Sequence, residues 1–228
     1  MLIQQKFDYK SLQRIDSPEG RRYVISDGVY LPSVTTILSK TKDMTALNEW
    51  RSAVGEAEAT RIVTEASNLG TGMHGNLEKH ILGEPMVGSY LSKVLAKVII
   101  KHGLSKVNEV WGQEVALYTT DLYAGTTDLV GLHDHTPAIM DFKNSLHDKK
   151  REWIDDYFMQ LAAYAMSHNE MFGTNIKKGV VMVATREAKY QEFIIEGDEF
   201  IFYETMWANK VCEYYDQLNR TKYITGDI

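Results

Sequence analysis

The segment GTTDLVGLHDHTPAIMDFK, residues 125–143, constrains the fold of this chain more than any other. β-Favouring residues lead into the polar turn DHTP, and an apolar run leads out of it, which is the pattern of a β-hairpin. If the hairpin is centred between Asp134 and His135, then Asp128 and Asp141 lie opposite each other. Cross-strand partners stand roughly 5 Å apart at Cβ, so the sequence predicts two neighbouring carboxylates.

This hairpin predicts a cation site. Two carboxylates that close repel unless a positive charge lies between them, and a divalent cation is the usual one. Because side chains alternate faces along a strand, Asp141 and Lys143 share one face, while Met140 and Phe142 point into the core. Lys143 is then placed to touch a water or phosphate held by the same ion. The alternative is an exposed Asp141–Lys143 ion pair on an edge strand, with Asp128 at the surface.

Two further pairs of polar residues lie at the i, i+4 spacing that places side chains on one helix face. His74 and Glu78 follow Thr71, which we predict to be the N-cap of a helix that begins there. The alternative for this pair is a histidine packed beneath the helix start and a glutamate paired with a lysine. Gln160 and Tyr164 lie in a second, amphipathic segment.

The rest of the chain predicts a mixed α/β layout, a central sheet flanked by helices. An N-terminal hairpin turns at Asp27-Gly28, and Ser33 after it either caps a short helix or, with Thr35, contacts a phosphate. The other predicted helices span 44–67, 89–102, 151–172 and 199 to about 218, and the strands span 107–119, 178–186 and 190–195. We expect one domain over 1–228, with a hairpin and helical part at 1–67, a core at 68–195 and a closing helix at 196–228.

Composition is that of a soluble globular protein, with 44% hydrophobic residues among 228. No apolar run approaches the roughly 20 residues of a membrane span, and the first residues resemble neither a signal nor a transit peptide, which predicts a cytoplasmic protein with no membrane partner. The single cysteine, Cys212, allows no internal disulfide and disfavours zinc and iron–sulfur sites. We predict that Cys212 packs in the closing helix and that any metal is hard and oxygen-ligated.

The net charge of −6 argues at first against a nucleic-acid partner. Carboxylates that bind a metal reverse the local sign of charge, however, and the basic residues cluster along the chain. The clusters are Arg21-Arg22, Lys149-Lys150-Arg151 and Lys177-Lys178.

Four motifs occur in a fixed order: G-T-x-x-H-x-x-x-E at 70–78, G-x-x-D at 125–128, D-x-K at 141–143 and Q-x-x-x-Y at 160–164. Over residues 68–186 this arrangement resembles the RecB-like branch of the PD-(D/E)xK nuclease superfamily, and PSVTTIL at 32–38 extends it. Within that branch the chain is similar to exonucleases of mitochondrial genome maintenance and of phages. The resemblance implies a restriction-endonuclease-like core.

The resemblance also implies a metal site. Asp128, Asp141 and the Phe142 carbonyl would bind Mg²⁺ or Mn²⁺, with His74 completing the site or lying beside it. Glu78 would contact the metal through water or support His74. Lys143 would orient and help deprotonate the attacking water and stabilise charge on the phosphoryl oxygens.

The remaining implied roles concern DNA. Gln160 and Tyr164 would position Lys143 or the DNA backbone, and Ser33 and Thr35 would contact that backbone. We assign the basic cluster to DNA binding as well: Lys149, Lys150 and Arg151.

The implied activity is a metal-dependent DNA exonuclease that prefers single strands or free ends, acting in replication, recombination or repair in a bacterial or phage-infected cytoplasm. Replication or recombination proteins are the candidate partners, and the sequence does not give the oligomeric state. One alternative is a structure-specific endonuclease on the same core. Another is a non-catalytic DNA-binding or recombination protein, which the acidic charge favours but which would normally have lost Asp128, Asp141 or Lys143.

Overall fold

The computed structural model describes the backbone of residues 2–225 and the side chains of residues 4–220. Within that range the strands are β1 Leu2–Ile3, β2 Gln13–Ser17, β3 Gly20–Ser26, β4 Val29–Pro32, β5 Val107–Thr119, β6 Tyr123–His133, β7 Thr136–Ser145, β8 Lys178–Thr185 and β9 Tyr190–Glu196. The α-helices are α1 Val34–Lys40, α2 Thr45–Val54, α3 Glu56–Ile81, α4 Tyr90–His102, α5 Asp155–Phe172 and α6 Gly197–Thr225. Short 3-10 turns span Leu104–Lys106 and Arg151–Trp153.

The central sheet has the strand order β1-β5-β6-β7-β8-β9. Pairing is parallel at β1–β5 and β7–β8 and antiparallel at the other contacts, so the predicted mixed α/β class is confirmed. Helices α3 and α4 cover one face of the sheet, and α1, α5 and α6 cover the other. Two hydrophobic cores result, one on each face.

Strand β7 divides its residues between these two cores. Met140 and Phe142 are buried in the core under α3 and α4, as predicted, whereas Ile139 packs in the core under α5. All eight residues of the neighbouring β8 are buried, as expected for a strand that is covered by helices on both faces. Because helices cover both faces of the sheet at this point, Asp141 of β7 is also buried, and Lys143 after it is half-buried.

A second, three-stranded sheet is formed by β2, β3 and β4. The predicted hairpin is confirmed, with Asp27-Gly28 between β3 and β4 and a positive φ of 79° at Gly28. The sequence analysis missed β2, whose five residues are all exposed and carry no apolar alternation. The small sheet contacts the central one through Tyr23 and Leu31, which pack against Ala124 of β6.

The prediction of a helix start at Thr71 is wrong. Helix α3 runs without a break through this position, and the Thr71 hydroxyl donates to the Ser67 carbonyl within the helix. The break comes earlier, at Gly55, whose φ of 85° separates α2 from α3. Of the glycines after it, Gly72 serves close packing, since a Cβ there would lie 3.0 Å from Cβ of Ser92 in α4.

The closing helix α6 buries Trp207 completely, as its apolar side predicts. Cys212, however, is exposed, so the prediction that it packs in the core is wrong. Residues 226–228 of the predicted closing segment lie outside the described residues. None of the described helices has the length and apolar character needed to cross a membrane.

We expect two glycine substitutions to change stability in opposite directions. A Cβ at Gly131 in β6 would lie 2.0 Å from the Glu109 carbonyl oxygen, so Gly131→Ala must displace the β5 backbone and lower the free energy of unfolding by about 1–3 kcal/mol. Gly75 of α3 has open space around it, and Gly75→Ala should raise that free energy by about 0.5–1 kcal/mol. Urea unfolding followed by circular dichroism measures both, and equal effects would contradict the packing described.

Candidate active site

The central hairpin opens into a fork at the place where the site was predicted. The turn residues Asp134 and His135 both have positive φ, as a tight hairpin turn requires, so the predicted register is confirmed. The β6–β7 pairing ends at Leu129 and Met140, and beyond that point β6 continues with β5 while β7 continues with β8. The next residue on each side of the fork is an aspartate.

Asp128 is held by two contacts in this fork. Its Oδ2 accepts a hydrogen bond of 2.7 Å from the Phe142 backbone N–H, and its Oδ1 lies 3.3 Å from Nδ1 of His74 in α3. Burial lowers the pKa of His74, but the charge of Asp128 and its hydrogen bond with the imidazole together outweigh burial and raise that pKa to about 9. Burial conversely raises the pKa of Asp128, and His74 and Lys143 bring it below its ordinary value. At neutral pH the pair is therefore an imidazolium and a carboxylate.

Lys143 is the second cation of the site, and its partners fix its position. Its Nζ lies 2.6 Å from Asp141 Oδ2 and donates to Gln160 Oε1 over 3.4 Å, while Gln160 Nε2 donates to the Tyr164 hydroxyl over 3.2 Å. The Tyr157 ring lies beneath the ammonium, with its centroid 5.0 Å away. Gln160 and Tyr164 thus lie in one chain of contacts that ends at Lys143.

The alternative of an exposed ion pair on an edge strand is wrong. Asp141 is only 2% exposed, and β7 lies between β6 and β8. Burial raises the pKa of Asp141 to about 6, with the nearby Asp128 adding to the rise and Lys143 opposing it. The pKa of Lys143 is raised despite burial, because Asp141 and Asp128 stabilise its charge.

The G-x-x-D and Q-x-x-x-Y motifs are in contact at Gly125. A Cβ at Gly125 in β6 would lie 2.6 Å from Cε1 of Tyr164, so a side chain there would displace the tyrosine ring. Glycine at position 125 therefore allows α5 to bring Tyr164 and Gln160 against the fork.

Glu114 is a site residue that the sequence analysis did not single out. The pairings Gln113–Leu129 and Val115–Thr127 place it opposite Asp128 on the neighbouring strand β5. Ligand atoms of Glu114, Asp128 and His74 all lie within 4.8 Å of one another. Partial removal from water, together with the Asp128 and Glu78 charges, raises the pKa of Glu114 to about 7.

The sequence carried only a weak signal for Glu114, an acidic residue within a predicted strand. Its position opposite Asp128 follows the regular β5–β6 pairing that begins at Thr119 and Tyr123, because the irregularities in that pairing lie beyond it, between Val107 and Gly112. Its own φ is 49°, a left-handed conformation that is uncommon for glutamate and that cannot be inferred from residue type.

Most other predicted residues also line this opening, which we call the fork cleft. Glu78 lies half-buried in the cleft wall with its pKa raised by burial, and Lys79 pairs with Glu84 instead of Glu78. Ser33 and Thr35 line it as well, but Ser33 is buried and its hydroxyl caps α1 by accepting from the Thr36 N–H, so the capping interpretation is confirmed.

Basic residues of the small sheet contribute to the cleft wall in a way that the sequence analysis did not resolve. Arg14 and Arg21 both line the cleft and both contact Asp16, at 3.3 and 2.8 Å. Two arginines that share one aspartate leave a positive surface beside the fork.

The predicted basic cluster lies outside the fork cleft. Lys149 lines a groove next to it, and Lys150 lies 5.1 Å from the centroid of the Trp153 ring. Arg151 pairs with Glu199 at 2.6 Å and donates to the Ile194 carbonyl, so its charge is neutralised within the fold.

Comparison with known proteins yields only distant likenesses. No protein-family model matches the chain, and no curated protein matches it. Among solved structures, SSO0001 matches with a TM-score of 0.45 at 16% identity, covering 83% of this chain and 75% of that one. A candidate exonuclease from Eubacterium rectale matches with a TM-score of 0.43 at 14% identity (86% and 76% covered), and an alkaline exonuclease from Laribacter hongkongensis with 0.31 at 12% (68% and 84%). Likenesses at this level decide neither the family nor the activity of the chain.

Proposed function

We propose that this chain is a divalent-metal-dependent deoxyribonuclease, an exonuclease that hydrolyses phosphodiester bonds of single-stranded DNA or free ends. The observation that carries the proposal is the row of carboxylates across three adjacent strands, Glu114, Asp128 and Asp141, with His74 and Lys143 converging on it. Gathering so many like charges costs stability, and a cation site is the usual reason for it.

The donor set fits a hard divalent cation. Carboxylate oxygens with one imidazole suit Mg²⁺ and, because of the imidazole, Mn²⁺ somewhat better. Oδ2 of Asp141 is buried, and its partner among the described residues is the Lys143 ammonium, 2.6 Å away. Asp128 and Asp141 would hold the ion with Glu114, His74 and the Phe142 carbonyl. When bound, the ion neutralises an anionic phosphodiester and lowers the pKa of water that it binds.

The chain's own cationic side chains would bind the phosphate and stabilise the charge that develops on it. Lys143 keeps its proton beside Asp141, so its ammonium donates hydrogen bonds to the attacking water and to the phosphoryl oxygens on which charge develops. Gln160 and Tyr164 restrict where that ammonium points. Arg14 and Arg21 would hold the DNA backbone at the cleft wall.

Replacing Lys143 tests the proposed reaction. Lys143→Met should lower the cleavage rate of an end-labelled single-stranded oligonucleotide in Mg²⁺ or Mn²⁺ by at least about 100-fold, because it removes the charge that stabilises the transition state. Lys97→Met on the distant helix α4 is the matched control and should cleave normally. Undiminished cleavage by Lys143→Met, or no cleavage by the unmodified protein with either metal, contradicts the proposal.

A closed circular single strand separates the exonuclease from the endonuclease alternative. It has no free end and should resist cleavage by the unmodified protein; cleavage of the circle would favour the endonuclease alternative.

Glu114 should contribute to metal affinity and reduce metal-free stability. Glu114→Gln is expected to weaken Mn²⁺ binding by on the order of 10- to 100-fold in isothermal titration calorimetry. It should also raise the melting temperature measured in EDTA, since the glutamine no longer repels Asp128 across the strands. Glu109→Gln in the same strand is the control, because Glu109 instead accepts a hydrogen bond from the Trp111 indole. Mn²⁺ affinity unchanged in Glu114→Gln but lost in Asp128→Asn would exclude Glu114 from the site.

Mn²⁺ binding should strengthen as the pH rises from 6 to 8.5. His74, Glu114 and Asp141 have pKa values of about 9, 7 and 6, and each holds a proton below its pKa that must leave before the group can bind metal. Each proton released gives about a tenfold gain in affinity per pH unit below that pKa. Calorimetric titrations at several pH values measure the slope, and His74→Gln should reduce it. An affinity independent of pH over this range would contradict the assignment.

A further inference from the structure

A second depression adjoins the fork cleft, between α3 and the segment that links β7 to α5. We call it the α3 groove. Ala66 of α3 and Asn144 of β7 line both the groove and the cleft, and Asn144 fixes the boundary by donating to the Ala66 carbonyl over 3.0 Å. Its volume of about 510 Å³ falls within the roughly 300–1,000 Å³ of small-ligand sites. The groove thus begins one residue from Lys143.

The groove carries an accessible aromatic ring with a cation beside it. Trp153 is 60% exposed, in contrast to the buried Trp111 and Trp207. The Lys150 ammonium lies 5.1 Å from the centroid of its ring. An exposed indole next to a lysine is the combination on which an unpaired base stacks while its backbone is held by charge.

The charges around the groove favour an anion, although the chain as a whole is acidic. Lys149 and Lys150 take part in no ion pair among the described residues, and Lys149 lines the groove directly. Arg61 and Arg186 contact the same Glu65, at 3.2 and 2.8 Å, and Arg61 also pairs with Glu58 at 2.8 Å, so these two guanidinium groups are matched by two carboxylates and the unpaired charge is that of the lysines.

The acidic neighbours leave the charges of Lys149 and Lys150 unpaired among the described residues. Asp148 also lines the groove, and Lys189 lies 3.8 Å from its carboxylate and 2.7 Å from that of Glu187. A phosphate beside Lys149 would therefore meet lysine charge that no described carboxylate neutralises.

We propose that the α3 groove binds an unpaired nucleotide of the same DNA strand whose phosphate lies at the fork, with its base stacked on Trp153 and its phosphate beside Lys149. The proposal rests on the proposed nuclease function and adds the reason for a single-strand preference. A base within a duplex is already stacked and paired, so it reaches an indole face only after leaving the helix. A base in a strand that is single at this position reaches the indole without unpairing or unstacking from a duplex.

The test is binding of a fluorescein-labelled single-stranded oligothymidylate in Ca²⁺, followed by anisotropy. Trp153→Ala should weaken binding at least about fivefold, and Trp153→Phe should retain most of the affinity because it keeps a stacking ring. Phe202→Ala, which truncates an exposed aromatic on α6, is the matched control and should bind normally. A blunt duplex of the same length should bind Trp153→Ala and the unmodified protein with equal affinity.

Intrinsic tryptophan fluorescence gives a second measurement. The oligothymidylate should quench the unmodified protein and the Phe202→Ala variant, and this quenching should be largely lost in Trp153→Phe. Unchanged quenching in Trp153→Phe, or equal single-strand affinity in Trp153→Ala and the unmodified protein, overturns the groove proposal. A loss of duplex binding in Trp153→Ala that is as large as its loss of single-strand binding overturns the groove proposal as well.

These outcomes are separable from failure of the nuclease proposal. If the unmodified protein cleaves DNA but Trp153→Ala binds and cleaves like it, the groove assignment fails while the nuclease assignment stands. If nothing is cleaved with Mg²⁺ or Mn²⁺ and Trp153→Ala still loses single-strand binding, the groove is supported and the nuclease function fails. If the unmodified protein binds no DNA, both are overturned.

Discussion

The repulsion among carboxylates that the strand register forces together is the constraint on which the site depends. The tight turn at Asp134 and His135 sets the pairing of β6 with β7, and burial of Met140 and Phe142 on one face leaves Asp141 and Lys143 on the other. A slip of one residue would exchange these faces and bury the lysine in the apolar core. The hydrophobic effect therefore fixes the position of the charged groups.

The contacts that hold the offsetting charges in place come from opposite faces of the sheet. Helix α3 supplies His74 to Asp128, while α5 supplies Gln160, which holds Lys143 beside Asp141. Each contact joins a helix to the strand that it covers, so the packing of both cores and the geometry of the fork are linked. On the proposed function, such an arrangement lowers stability in exchange for a site in which a divalent cation would replace protons and an ammonium as the counter-charge.

Local patterns predicted the parts of this arrangement that depend on residue type. The hairpin, its turn and the i, i+4 pairs follow from periodicity, which is why the positions of Asp128, Asp141 and Lys143 were predictable. Glu114 was not, because a single acidic residue within a strand carries no periodic signal and its positive φ cannot be inferred from residue type. The helix start at Thr71 was misplaced because Gly70, Gly72 and Gly75 have the composition of a helix-breaking segment, although α3 continues through them and Gly72 serves close packing against α4.

The acidic net charge and a nucleic-acid substrate are compatible because the sign of charge is a local property. At the fork, the carboxylates surround the position where a divalent cation would reverse their effect on a phosphate. Arg14 and Arg21 line the fork cleft itself, and Lys149 lines the groove that adjoins it. On the proposed function, a strand in the cleft and the groove would meet these positive charges, while acidic surface elsewhere opposes non-specific binding of polyanions. On this argument the −6 charge favours selectivity for a strand that enters the fork.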